Sequence, residues 1–284
     1  MTSLGPGLLT FFTALAYLVS SAFYGAGTVR SGDEPNRSLL RAGFAAAMVG
    51  GLLQVAAIGA RCVQTNMAPF VTAPDTLSAV GLVIVIVLVL LQFCPVGEKL
   101  IAIGALGMPL AFLCVFAGSA LQQSTRASSL NARVLNDNLV NLHVLAIVFA
   151  FGFIALAFGC AALYIFEDRM LKRKSVARLL KWRLPPLTTI DKLAFFLISL
   201  AFPLLTIGIL AGVVRAVADH RAFLSWSLEP HTLASVVTWA VYGAYLWLHA
   251  GMDWRGPKAN YLIGVGVLAA LVTYFLPSTL HRFG

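Results

Sequence analysis

From Asn141 to Phe166 the chain carries no Asp, Glu, Lys or Arg. Apolar stretches of this kind recur along its whole length. A helix needs roughly 20 apolar residues to cross the hydrocarbon core of a bilayer. In lipid it must also satisfy its backbone N–H and C=O groups internally. Eight such spans are predicted, at about 7–24, 43–60, 77–94, 100–120, 141–166, 192–217, 232–250 and 259–277. The fold expected is all-α, a polytopic transmembrane helix bundle forming a single integral membrane domain over 1–284. The composition agrees: 60% of the residues are apolar and only 11% charged, where a soluble domain has about 25% charged. Eight spans leave no room for a sizeable soluble domain. The first run begins near Leu8 with no basic residue ahead of it, so it reads as a retained helix rather than a signal peptide.

The formal charge of +9 does not point to nucleic acid, because the basic residues are gathered in a few loops. Arg30, Arg37 and Arg41 follow the first span, Lys99 the third, and Arg255 and Lys258 the seventh. The segment EDRMLKRKSVARLLKWRLPPLTTID, residues 167–191, follows the fifth. These loops share one side, and an excess of Lys and Arg marks the cytoplasmic side. Both termini and the loops 61–76, 121–140 and 218–231 are then expected on the outer, periplasmic side of a bacterial inner membrane. Cys62, Cys94, Cys114 and Cys160 are scattered without a CxxC pair. For the last three, apolar packing is expected rather than disulfide or zinc chemistry. Pro69 and Pro74 shape the outer loop NMAPFVTAPD, and Gly152, Ala155 and Gly159 suit close helix packing.

Against this background the segment RAVADHRAFLSWSLEPH, residues 215–231, is unusually polar. On the predicted topology His143, His220, His231 and His281 lie at the outer surface, and His249 alone is cytoplasmic. His143 and His231 open spans, and His281 follows Pro277. Polar ionisable groups near membrane depth are candidates for function, and neutral imidazole is the commonest metal ligand. Steps of three and four from His143 reach Ala146, Ala150, Phe153, Ala157, Cys160 and Tyr164; from His231 they reach Ser235, Thr238, Tyr242, Tyr245 and His249. Spacing assigns both stripes to packing and interhelical hydrogen bonds. A cavity in the outer half, admitting something flat and apolar, is the sharper alternative.

The segment SWSLEPHTLASVVTW, residues 225–239, resembles the tryptophan-rich WxWDPKE loop of the cytochrome c assembly family (CcsA, CcmC and HemX-like proteins). Trp226, Ser227 and Pro230 match in place, and Glu229 stands for the aspartate. TWAVYGAYL, the stretch DWRGPKANYLIGVGVLAALVTYF and the terminal LHRFG are similar to the family's closing helices and LHSYG ending. NLHVLAIVFAFGFIALAFGCAALYIFEDR is similar to its histidine-headed helix. The resemblance covers about 141–284, with APFVTAPDTLS as a weaker match upstream. Leu228 replaces the second tryptophan, His231 the lysine and Thr232 the glutamate. These departures resemble the HemX-like branch.

The resemblance implies a membrane haem-handling protein of cytochrome c biogenesis, with b-type haem held at the outer face and presented to a partner. It implies His143 and His281 as the iron ligands, flanking the Trp226, Glu229, Pro230 and His231 loop. Arg221 and Arg282, with Arg215, share that face and suit haem propionates. Partners implied are apocytochrome c and a second cytochrome c assembly membrane protein. No paired carboxylates, Ser-His-Asp set or P-loop pattern is present, so no independent catalysis is expected; the resemblance implies a place as a component of a haem lyase. Two alternatives stand beside this reading. One is a HemX-type regulator of haem biosynthesis working through 167–191; the other is a small-solute transporter.

Overall fold

The computed structural model describes residues 5–29, 36–65, 72–93, 101–122, 138–174, 184–218 and 230–275. These form eight helices: α1 (Pro6–Thr28), α2 (Arg37–Thr65), α3 (Ala73–Gln92), α4 (Ile101–Gln122), α5 (Asn138–Lys172), α6 (Leu187–Ala218), α7 (Pro230–Gly251) and α8 (Pro257–Phe275). Each coincides with a predicted span. Seven are long and apolar enough to cross a membrane, and the eighth is a shorter apolar helix over Pro257–Val272. The chain is therefore an all-helical, multi-pass membrane protein.

Several helices outrun their apolar cores. The 35 residues of α5 extend about 50 Å at 1.5 Å per residue, well beyond a hydrocarbon core of about 30 Å. Its last turns, bearing Arg169 and Lys172, thus reach into the polar zone. Likewise α6 starts at Leu187 rather than near 192, directly after Pro185 and Pro186. Proline suits a helix start because its φ is preset and its missing N–H is not needed there. The earlier start makes Asp191 helical rather than part of a loop. Pro74 plays the same part in α3, where Thr72 caps the helix by accepting from the Asp75 amide.

The backbone packs into two compact units, residues 1–125 with 162–190 and residues 126–161 with 191–284. In the first, α1 inverts the pattern of a soluble helix. Its buried positions are Thr13, Tyr17, Ser20, Tyr24, Gly27 and Thr28, while Leu8, Phe11, Phe12, Leu15 and Leu18 are exposed. Lipid is as apolar as leucine, so the polar groups are the ones driven inward to find partners. Tyr17 Oη–H donates to Gln54 Oε1 at 2.5 Å, and Gln54 Nε2 donates to the Ser78 carbonyl at 2.7 Å and its hydroxyl at 3.2 Å. Ser20 donates to the Gly43 carbonyl at 2.7 Å, and Gln92 donates to the Tyr24 hydroxyl. These bonds stitch α1, α2 and α3 together.

In the second unit aromatic rings take over that role. Phe202 of α6 stacks on Trp239 of α7 at 5.4 Å, and the Trp239 indole N–H donates to Thr206 Oγ1 at 2.9 Å. Tyr242 packs its ring tip against Gly266 of α8, where an added Cβ would sit 2.5 Å from the ring. The turn from α7 to α8 passes through Gly256 at φ 94°, a left-handed conformation that glycine adopts without steric cost.

Candidate functional site

His143 lies one and a half turns inside α5, because helix already begins at the polar residues from Asn138. Its half-buried ring faces α6, with Nδ1 2.6 Å from the Gly208 carbonyl oxygen. A carbonyl only accepts, so Nδ1 carries the hydrogen and the ring lone pair is on Nε2. One turn further along α6, Gly212 faces the same ring: an added Cβ would lie 3.2 Å from Cε1 and 3.3 Å from Nδ1. Orienting one ring nitrogen against a carbonyl is how proteins fix a histidine that binds metal through the other nitrogen. A neutral imidazole oriented in this way is the kind of donor a haem iron takes. The stripe predicted below it is largely interior, with Ala146, Ala150, Ala157 and Cys160 buried. Cys160 packs as expected, Cys114 is only half-buried, and Cys94 lies outside the described residues.

Of the other predicted site residues, Pro230 is exposed at the first position of α7, and His231 follows it in the helix. Arg221, Trp226, Glu229, His281 and Arg282 lie outside the described residues, as does the side chain of His231. Arg215 is placed near the end of α6. Among the described residues no three His, Cys, Asp or Glu side chains gather as a metal cluster; an axial haem site needs no such cluster.

The stripe drawn from His231 is the buried face of α7, with Thr238, Tyr242, Tyr245 and His249 all buried. Those four side chains pack in the interior of the second unit. Thr238 donates to its own helix at Ala234, and Tyr242 lies on Gly266. At its far end is a polar centre that the sequence reading had not singled out. His249 Nε2 lies 3.0 Å from Asp191 Oδ2, and Asn260 Nδ2 lies 3.4 Å from Asp191 Oδ1. The imidazole stacks on Phe195 at 4.5 Å and tilts against Tyr245 at 5.6 Å. Asn260 also donates to the Gly256 carbonyl at 3.0 Å, so the left-handed turn aims it. The available signal was an acid followed by an apolar run with no loop residues between them. The spacing Gly208-x-x-x-Gly212 was equally visible as a close-packing signal.

The arrangement around His143 sits inside a longer match. The cytochrome c assembly protein family covers residues 70–282, well over half the chain. The chain belongs to this family. Over 295 residues it is 24% identical to the cytochrome c biogenesis protein CcsA of Guillardia theta, which spans 97% of this chain and 94% of that relative. Porphyra purpurea CcsA is 28% identical over 221 residues, 64% of this chain and 69% of the relative. A shorter and closer match is CcsA of Thermosynechococcus vestitus, 39% identical over 106 residues, 36% of this chain and 33% of the relative. No solved structure matches. The family stretch begins within APFVTAPDTLS, upstream of the 141–284 region that carries most of the resemblance, and so takes in α3 and α4 as well.

Proposed function

We propose that this chain binds haem near the outer face of a bacterial inner membrane and presents it to a partner in cytochrome c biogenesis. Family membership and the CcsA name of its relatives support the biogenesis role. The observation that carries the haem reading is His143, whose Nδ1–H is held by the Gly208 carbonyl so that Nε2 presents the lone pair. His143 and His281 would hold the iron of a b-type haem. Trp226 gives the porphyrin an aromatic face, with Glu229, Pro230 and His231 completing the loop. Arg221 and Arg282 pair the propionates through bidentate hydrogen bonds.

Bound haem supplies the vinyl groups to which apocytochrome cysteine thiols add to form thioethers. This chain would supply position: His143 and His281 would hold the iron, Arg221 and Arg282 the propionates, keeping the group at the membrane surface. A second assembly protein would keep those apocytochrome thiols reduced. The absorption spectrum of the detergent-purified protein, expressed with ample haem, tests the proposal. A Soret band is expected in the wild type and its loss in the His143→Ala, His281→Ala double variant. A colourless wild type, or an unchanged band in the double variant, overturns the ligand assignment.

A further inference from the structure

We propose that Gly208 and Gly212 of α6 are positioning residues for His143, which set its tautomer and the direction of its iron-binding nitrogen. This inference rests on the reading of His143 as a haem ligand and adds to it the device that orients the ring.

Helical carbonyls are ordinarily spent on the amide four residues on. A second lone pair remains, but side chains on a helix lean toward its N-terminus. A residue at i+4 therefore covers the carbonyl at i. At position 212 there is no side chain, and the Gly208 oxygen is left open to a partner on the neighbouring helix. His143 takes it at 2.6 Å, with the edge of the ring seated over Gly212.

Gly208 serves a different end. A Cβ there would fall 2.6 Å from Ile147 Cδ1 and 3.7 Å from the His143 carbonyl oxygen. Its bareness lets α5 come close enough for an imidazole to reach backbone. The two glycines, one turn apart, thus form a cradle in which the ring meets a wall at Gly212 and an acceptor at Gly208. A methyl at 212 would sit 3.2 Å from Cε1, too tight to be ignored. The ring would have to give by a few tenths of an ångström, which lengthens its bond to the Gly208 oxygen and loosens both tautomer and aim. Loss of such an outer partner typically weakens metal binding about 10–100-fold.

The test titrates hemin into the purified apoprotein and follows Soret absorbance and iron spin state. The variants are Gly212→Ala, Gly212→Val, His143→Ala and Gly243→Ala. The last is a crowding control, because a Cβ at Gly243 meets Phe202 at 3.3 Å, a similar clash in the same unit away from His143. Gly212→Ala is expected to bind hemin about tenfold more weakly and to shift the spectrum toward that of His143→Ala. Added imidazole is expected to restore the wild-type spectrum in both, since a free ligand needs no cradle. Gly212→Val should show the larger effect, and the alanine variant covers its failure to fold.

A wild-type affinity and spectrum for Gly212→Ala, with binding lost in His143→Ala, overturns the cradle and leaves the ligand reading intact. Unchanged binding in His143→Ala overturns both. Equal loss in Gly243→Ala and Gly212→Ala reduces the effect to general crowding and also overturns the proposal.

Discussion

Asp191 serves two partners at once, His249 through one carboxylate oxygen and Asn260 through the other, and all three residues are buried. Their elements are α6, α7 and α8, so the carboxylate ties three helices at one point. Removing it leaves an imidazole N–H and an amide N–H buried without an acceptor, a cost of about 1–3 kcal/mol for each. Asp191→Ala is expected to lower stability by that amount in denaturant unfolding of the purified protein. Asp191→Asn, which keeps one acceptor oxygen, should lose less. Equal stability of Asp191→Ala and wild type would show that the trio contributes nothing. The sequence offered both ends of this contact, an acid just past LPPLTTI and a histidine ending a polar stripe. It held nothing that joined them, because they are 58 residues apart.

At the scale of elements, glycine decides where helices touch. Tyr242 is seated on Gly266, whose added Cβ would also lie 2.8 Å from the phenolic oxygen. The ring is buried, so either it or α8 would have to shift. Gly266→Ala is expected to destabilise by about 1–3 kcal/mol, the usual cost of overpacking. A smaller residue opposite, Tyr242→Leu, should recover part of the loss in the double variant. Additive losses in the two single variants, with no recovery, would sink this account of the α7–α8 contact. The existence of both helices was plain from hydropathy. Their contact was not, since several small residues lie along α8 and only packing selects Gly266. The same holds for α5 and α6: Gly152, Ala155 and Gly159 drew attention in the sequence, while the contact that orients His143 uses Gly208 and Gly212.

For the whole molecule, the asymmetry of Lys and Arg predicts an orientation with the 167–191 segment in the cytoplasm and 218–231 outside. In a background lacking the native cysteines, Ser225→Cys should react with a membrane-impermeant thiol reagent in intact cells. Ser175→Cys should react only after permeabilisation; the reverse pattern overturns the orientation. All eight helices were legible because hydropathy is a local property: seven of the runs are long enough by themselves to demand burial of their backbone in helix, and the eighth is a shorter apolar run of the same kind. Membership of the assembly family was legible for a similar reason, its blocks being continuous in the chain. What the tertiary structure alone decided is which polar groups meet. Tyr17 with Gln54, His143 with Gly208 and Asp191 with Asn260 are separated by 37, 65 and 69 residues. In lipid such pairings are chosen by where helices approach closely enough to exclude everything else, and no local pattern encodes that.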